Sequence, residues 1–325
     1  MGVKLGNLNM TNGLCLAPMA GYTDRAMRLV CRKYGVEHSV TEMVSAKAVV
    51  FNDKKTFALA KIYADEGPVS IQIFGSEPEI MAEAAKVLAN PTEGVRPLAI
   101  DINMGCPVNK IYGNGEGSAL MKNPELIYKI TKAVSEAIDI PTTVKIRAGI
   151  NKSSINAIEC ALAAEEGGAS LLCIHGRTRE QMYGGFADRE IIKKVKDSLH
   201  IPLIANGDIV DAASAISMLR DTGADGIAIG RGAVGNPFIF EEITCAMENR
   251  CFKEPDIEER IDTALLQLRT AIEEKGERVA IPEARKQIAL YLRSFRGAAR
   301  IRAEINRSLT YDEVETALKS ALTDH

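Results

Sequence analysis

Short apolar runs alternate with amphipathic stretches along the first 240 residues of the chain. Each run is mostly apolar rather than alternating, as expected for strands buried on both faces of a parallel sheet. One amphipathic stretch opens with Asn123 as a helix N-cap and Pro124 at the first helical position. The predicted strands cover residues 14–19, 38–44, 69–74, 98–103, 142–147, 171–176, 202–207 and 226–230. This repeated unit predicts a (β/α)8 TIM barrel in the α/β class.

The pattern changes after Phe240. From about residue 243 onward there are no convincing strands, only helical periodicity that is interrupted near Pro255, Gly276 and Pro282. The sequence therefore predicts two domains, a catalytic barrel of residues 1–242 and a small all-α helical domain of residues 243–325.

Composition narrows the class of protein. The chain has 325 residues, of which 46% are apolar and 26% charged, which is ordinary for a globular protein. Its seven cysteines are an odd number without CxxC pairs, which argues against a disulfide framework and a zinc site and favours a reducing, cytoplasmic compartment. No metal site and no membrane span are predicted. Because the net charge is −3, any affinity for nucleic acid must come from a local patch.

The last two predicted strands end in glycine-containing turns that suit an anion. Strand seven ends in Asn206, Gly207 and Asp208, and strand eight continues into Gly230 and Arg231. In such barrels the loops after strands seven and eight form the usual phosphate site, with glycine N–H groups close to the anion and an arginine for its charge. The alternative is a pair of tight turns that bind nothing.

Polar residues also end several other strands. Lys145 interrupts an apolar strand, where it could donate to the N1/O2 edge of a flavin or pair with a buried carboxylate. His175 could be structural or could contact a cofactor or substrate, and Gln72 could bind the edge of a planar heterocycle. The small residues of the first strand end, Pro18, Met19 and Ala20, would let a flat ring lie against the backbone.

The fourth strand end carries the most specific signal, Asp101-Ile-Asn-Met-Gly-Cys106-Pro. Cys106 follows a strand end and a glycine, at the end of the barrel where working residues lie, so it could act as a general acid. The glycine-rich stretch 113–121 lacks both GxGxxG and GxxxxGK[ST], and it is predicted to be a mobile loop rather than a nucleotide cradle.

Seven runs together resemble the bacterial tRNA-dihydrouridine synthases. They are LAPMAGYTDRAMR, IQIFG, DINMGCPVNKI, VKIR, HGRTREQMYGG, IANGDI and GADGIAIGRGAVGNPFIF. They span nearly the whole barrel in the expected order, and the likeness continues into EARKQIALYLRSFRGAARIRAEIN. Two positions depart from the family pattern, Gln287 where histidine is frequent and Arg189 where tryptophan is frequent.

The resemblance implies an enzyme that binds FMN, takes a hydride from NADPH or NADH, and reduces the C5–C6 double bond of a uridine in tRNA. Cys106 would protonate C5 and Asn103 would orient the uracil. The neutral thiol suits this role, so Cys106 is not expected to be strongly acidified. The implied flavin contacts are Pro18, Met19, Ala20, Gln72, Lys145 and His175, and the implied phosphate contacts are Asn206, Gly207, Asp208, Gly230 and Arg231.

RNA binding is predicted for the C-terminal region. Seven basic residues lie between residues 285 and 307 against one acid, Glu304. The spacing of Arg293, Arg296 and Arg300 predicts one basic helix face for the phosphate backbone, although a solvated face is the alternative. Arg177, close to His175, is the further predicted substrate contact. No obligate protein partner is inferred.

Two other functions remain open at this point. A flavin barrel that reduces a small molecule, of the dihydroorotate or enoate type, would explain the phosphate site and Lys145 but not the basic C-terminal region. An RNA-binding module that has lost catalysis would explain neither Cys106 nor Lys145.

Overall fold

The computed structural model describes residues 2–293 and 295–322. Its strands are β1 (Val3–Leu5), β2 (Leu8–Met10), β3 (Leu14–Leu16), β4 (His38–Val40), β5 (Val44–Ser45), β6 (Val69–Phe74), β7 (Ile100–Asn103), β8 (Thr142–Gly149), β9 (Leu171–Thr178), β10 (Leu203–Asn206) and β11 (Gly226–Ile229). The sheet order is β4-β3-β11-β10-β9-β8-β7-β6-β5, with parallel pairing throughout, and β4 also pairs with β6, which closes a barrel. The predicted TIM barrel is confirmed, and the second predicted strand is divided into β4 and β5.

Helices cover the outside of the barrel. They are α1 (Arg25–Lys33), α2 (Ala46–Val50), α3 (Lys54–Ala60), α4 (Pro78–Ala89), α5 (Asn109–Gly113), α6 (Pro124–Ala137), α7 (Ala157–Glu166), α8 (Arg189–Ser198), α9 (Ala212–Thr222) and α10 (Ile239–Met247). Helix α6 begins as predicted, because the side chain of Asn123 accepts a hydrogen bond from the N–H of Leu126 at 3.1 Å. The glycine-rich stretch contains a 3₁₀ helix at Gly117–Lys122.

An antiparallel hairpin of β1 and β2 closes the amino-terminal end of the barrel, and the sequence did not predict it. Val3, Leu5 and Met10 pack in one apolar cluster with barrel residues that include Leu171 and Ile204. Since this end of the barrel is filled by apolar side chains, the opposite end is the one left for a ligand.

After α10 the described chain continues in helices α11 (Ile257–Lys275), α12 (Glu277–Ile288), α13 (Ala298–Arg307) and α14 (Tyr311–Lys319). This region docks on the barrel through an aromatic cluster. The rings of Tyr34 and Phe238 lie 4.5 Å apart, and that of Tyr291 lies 6.3 Å from Phe238. The hydroxyl of Tyr34 also forms a 2.8 Å hydrogen bond with Thr263 in α11. The barrel followed by C-terminal helices is therefore confirmed.

The predicted boundary after residue 242 falls inside α10, whose residues Ile239, Phe240 and Ile243 pack in the main barrel core. The exact division of the chain into domains stays a prediction. No helix among the described residues is long and apolar enough to cross a bilayer.

Candidate active site at the carboxyl end of the barrel

A cavity of about 840 Å³ opens at the carboxyl ends of the barrel strands. Its lining brings together predicted site residues from seven of the eight predicted strands or the loops after them, and one from the C-terminal region. The predicted site residues in the lining are Pro18, Met19, Ala20, Gln72, Asn103, Cys106, Lys145, His175, Arg177, Asn206, Gly207, Asp208, Gly230, Arg231 and Arg293. The predicted RNA contacts Arg296 and Arg300 lie outside this lining.

A buried hydrogen-bond chain leads from Asp101 to the backbone of Cys106. Gln72 donates from Nε2 to Asp101 at 2.6 Å and accepts at Oε1 from Asn103 Nδ2 at 2.8 Å. The Oδ1 atom of Asn103 then accepts from the N–H groups of Gly105 (3.1 Å) and Cys106 (2.8 Å). Because each amide orientation is set by the previous group, the chain fixes the position of the cysteine loop.

Cys106 lines the cavity and is held in place through its backbone. Its carbonyl accepts from the N–H (3.1 Å) and the hydroxyl (2.8 Å) of Ser118. Gly117, at φ +58, packs so closely that a Cβ there would lie 3.0 Å from the Cβ of Cys106. Burial raises the pKa of the thiol, and the nearby cations Arg147 and Lys145 lower it by less. The thiol is therefore neutral at physiological pH, in agreement with the expectation that it is not acidified.

Lys145 extends from the middle of β8 into the cavity. Its Nζ donates to Asn206 Oδ1 at 3.3 Å, and Asn206 donates to the carbonyl of Ala228 at 2.7 Å. In the described part of the chain Lys145 forms no ion pair with a carboxylate, so the alternative of a structural lysine–carboxylate pair is not observed. Burial lowers the pKa of Lys145. A hydrogen-bond acceptor on a bound ring would satisfy this cation.

The predicted anion cradle is formed by two loops in tight contact. A Cβ on Gly207 would lie 2.6 Å from the Cβ of Ala187, and a Cβ on Gly232 would lie 2.2 Å from the carbonyl oxygen of Ile209. These glycines are thus required by loop packing. Arg231 is exposed beside them, and among the residues described it has no carboxylate partner. An unpaired guanidinium next to close-packed glycine turns fits a phosphate group.

Arg177 is buried and bound to protein atoms. Its Nη2 donates to Asp208 at 2.5 Å, and its Nη1 lies 3.3 Å from His175 Nε2. Burial and the surrounding cations, Lys145 first among them, lower the pKa of His175 to about 2, so the imidazole is neutral. Asp208 also accepts from the N–H of Ala187 at 2.7 Å. The substrate-binding role of Arg177 and the phosphate-binding role of Asp208 stay predictions.

Arg147 and Tyr183 are among the lining residues that the sequence analysis did not predict as site residues. Arg147 lies two positions after Lys145, on the same face of β8, and donates from Nε to the carbonyl of Gly105 at 2.7 Å. The cost of a buried charge, which identified Lys145, could have identified Arg147 as well. Tyr183 lines the cavity from an exposed loop position that carries no such signal.

The predicted basic helix face is wrong. A 3₁₀ turn ends at Leu292, Arg293 has extended ψ, and α13 begins only at Ala298, after Gly297 with φ +92. Arg293 and Arg296 therefore precede the helix that carries Arg300. Glycine in a left-handed conformation interrupts the helix, which the spacing of the arginines alone did not reveal.

The two residues that depart from the family pattern, Gln287 and Arg189, both have polar partners in the structure. Gln287 is buried, accepts from Gln267 Nε2 at 2.8 Å and donates to the carbonyl of Tyr22 at 3.5 Å. Arg189 pairs with Asp221 at 2.5 Å on the outside of the barrel. Gln287 thus joins the C-terminal helices to a loop that lines the cavity.

Comparison with solved structures supports the barrel. The chain is similar to an old yellow enzyme homologue from Zymomonas mobilis, with a TM-score of 0.53 and 12% identity, covering 80% of this chain and 95% of that one. At this identity the likeness concerns the fold alone.

Comparison of sequences goes further. The family model described as dihydrouridine synthase (Dus) matches residues 15–325. A probable tRNA-dihydrouridine synthase of Rickettsia conorii is 38% identical over 306 residues, with 94% of this chain and 91% of the relative covered. The tRNA-dihydrouridine synthase B of Vibrio vulnificus is 40% identical over 305 residues, with 94% of each covered.

The fold and these matches place the protein in the class of flavin-dependent oxidoreductases. Within that class, the chain belongs to the dihydrouridine synthase family, whose members are generally FMN-dependent.

Proposed function

We propose that this protein is a tRNA-dihydrouridine synthase that holds FMN in the barrel cavity, takes electrons from NADPH or NADH, and reduces the C5–C6 bond of a uridine in tRNA. The observation that carries the proposal is the neutral thiol of Cys106 in the same cavity as Lys145 and the glycine cradle. One cavity therefore offers a hydrogen-bond donor to a flavin ring, a proton donor to the substrate and a binding site to the FMN phosphate.

The cofactor would be held by residues of six strand ends. Gln72 and Lys145 offer N–H donors to the polar edge of a flavin, and neutral His175 offers a further polar contact. Pro18, Met19 and Ala20 form the wall against which the ring lies. The phosphate contacts are Asn206, Gly207, Asp208, Gly230 and Arg231.

Cys106 acts as the general acid in this proposal. The reduced flavin, when bound, would supply the hydride for C6 of the uracil, so C5 would need a proton. Cys106 Sγ donates that proton, for which its raised pKa keeps the thiol protonated. Asn103 Nδ2 uses one N–H for Gln72, so its second N–H is available to a uracil carbonyl.

The uridine must leave its stack to enter the cavity. The tRNA is recognised by shape and through its phosphates, with Arg293 at the cavity and Arg296 and Arg300 further out on the C-terminal region. Arg177 lines the cavity, is hydrogen-bonded to Asp208 and lies beside His175, and it is the further proposed substrate contact.

The decisive experiment compares substrates. Purified, FMN-loaded protein with NADPH should form dihydrouridine in bulk tRNA from cells that lack the protein, and should act only weakly on free uridine or other pyrimidines. Nucleoside analysis of the RNA by mass spectrometry measures the product. Rapid reduction of a free pyrimidine with untouched tRNA would instead establish a small-molecule reductase.

A further inference from the structure

The loop between β9 and α8, residues 179–188, carries exposed apolar side chains beside the cavity. Phe186 is 85% exposed and Tyr183 is 53% exposed, and Tyr183 lines the cavity. The next residue, Ala187, connects the loop to the cavity. Its N–H donates to Asp208 and its side chain lies against Gly207, and Asp208 and Gly207 both line the cavity. Exposed apolar groups that cluster at the rim of a polar site mark a binding surface.

Two buried arginines hold the backbone of this loop. Arg147 donates to the carbonyl of Met182 at 3.0 Å, and Met182 has φ +48, a conformation that non-glycine residues adopt only when the surroundings enforce it. Arg177 donates to the carbonyls of Gly184 at 3.0 Å and Gly185 at 2.6 Å. The rings on either side of the glycine pair are thus presented by a fixed backbone rather than by a loosely attached one.

Two cations lie near the exposed ring of Tyr183. The guanidinium of Arg231 lies 4.9 Å from the centre of the Tyr183 ring, and that of Arg147 lies 6.0 Å from it. A nucleic acid fits this surface, because its bases stack on aromatic rings and the loop borders the cavity that the reacting uridine has to enter.

We propose that Tyr183 and Phe186 form a stacking platform for the RNA bases next to the reacting uridine. The inference rests on the proposed function and adds to it the surface that holds the neighbouring nucleotides. Extrusion of one base leaves its neighbours without a stacking partner. A rigid aromatic surface at the cavity rim replaces that partner, and thereby favours the open RNA conformation over the stacked one.

Kinetics of alanine variants test the platform. Phe186→Ala should raise the KM for tRNA about tenfold, while kcat at saturating tRNA and the affinity for FMN change less than about twofold. Phe51→Ala is the matched control, because Phe51 is 80% exposed at the end of α2 and does not line the cavity. It should leave the KM unchanged. An unchanged KM in both Phe186→Ala and Tyr183→Ala overturns the platform.

A fluorescence variant supplies a readout that does not depend on turnover. The chain has no tryptophan, so Phe186→Trp introduces a single indole that can still stack on a base. Its affinity for tRNA should match that of the unmodified protein, and its emission should be quenched on titration with tRNA. The emission of Phe51→Trp should not change.

The outcomes separate the platform from the proposed function. Quenching of Phe186→Trp by tRNA supports the platform even where the unmodified protein forms no dihydrouridine, a result that would count against the proposed function alone. Dihydrouridine formation without quenching, and with an unchanged KM in Phe186→Ala, overturns the platform alone. A change of oligomeric state in Phe186→Ala with an unchanged KM would assign the loop to a protein contact and would also overturn it.

Discussion

The cavity has two sides that are built differently. On the cysteine side, Asp101, Gln72 and Asn103 are buried, and each is hydrogen-bonded to the next. On the C-terminal side, called the arginine side below, Arg293 at the cavity and Arg296 outside its lining are both exposed. A buried chain of amides has one arrangement and can hold a reacting group in place, whereas exposed arginines can adapt to a phosphate backbone. We therefore expect the cysteine side to control kcat and the arginine side to control the KM for tRNA.

Removal of the Cys106 thiol should lower the rate of uridine reduction more than any other change. Cys106→Ala lacks the proton donor to C5, so uridine reduction at saturating tRNA should fall about 10²- to 10⁴-fold. The rate at which NADPH reduces the bound flavin, measured by stopped-flow absorbance, should stay within about twofold of the unmodified protein, because Cys106 has no part in that step.

Cys251→Ala is the matched control for this variant, since Cys251 is exposed and precedes α11. It should leave both rates unchanged. Loss of flavin reduction in Cys106→Ala, with the protein folded and FMN bound, would show that the thiol is not a dedicated proton donor.

Asp101→Asn should have the next largest effect on kcat. Both carboxylate oxygens of Asp101 accept hydrogen bonds, from Thr143 at 2.5 Å and from Gln72 at 2.6 Å. An amide at this position can present its NH₂ group to Gln72 and reverse the amide that binds Asn103. A misplaced Asn103 and Cys106 should lower kcat about 10- to 100-fold and leave the KM for tRNA unchanged.

The flavin absorption spectrum of Asp101→Asn should also shift if Gln72 contacts the ring, an effect that a change in stability alone does not produce. Asp139→Asn is the control, because Asp139 pairs with Arg96 at the barrel surface. If Asp101→Asn instead raised the KM for tRNA and preserved kcat, the cysteine side would not be the side that controls kcat.

The two sides also differ in how far the sequence predicts them. Lys145 and Cys106 are detectable because buried parallel strands are apolar, and a polar residue within one or at its end is costly unless it has a task. The eight strands followed from the same rule. The hydrogen-bond chain from Asp101 to Asn103 cannot be predicted from the sequence, because it depends on which strands are neighbours and on how each amide is oriented.

Tertiary context explains the errors. The spacing of Arg293, Arg296 and Arg300 fits one helix, yet Gly297 adopts φ +92 and interrupts it. The short hairpin of β1 and β2 was missed because three-residue strands carry almost no periodicity. Tyr183 was missed because an exposed aromatic residue in a loop has no pattern, and its meaning depends on the buried arginines beneath it.

Charge removal on the arginine side should have a smaller effect. Arg293→Ala and Arg296→Ala should each raise the KM for tRNA about two- to fivefold near physiological salt, and each should reduce the slope of log affinity against log salt concentration by about 1. The kcat values should not change. Lys193→Ala, which removes a surface cation paired with Asp197 on α8, should change neither quantity. A salt slope that stays constant in both arginine variants would place the RNA on another surface.

Acid pH should have the smallest effect on kcat. Burial and the surrounding cations lower the pKa of His175 to about 2, so the imidazole stays neutral and kcat should be flat between about pH 7.5 and 5.5. The free energy of unfolding should nevertheless fall there. In the unfolded chain His175 has a pKa of about 6.5, so below that pH the unfolded state binds more protons, and the fold loses up to about 1.4 kcal/mol per pH unit. Single-turnover rates and urea unfolding across this range measure the two quantities. A kcat that declines with a midpoint near pH 6.5, and becomes flat in His175→Asn, would mean that the histidine titrates and that its surroundings are more open to water than its burial indicates.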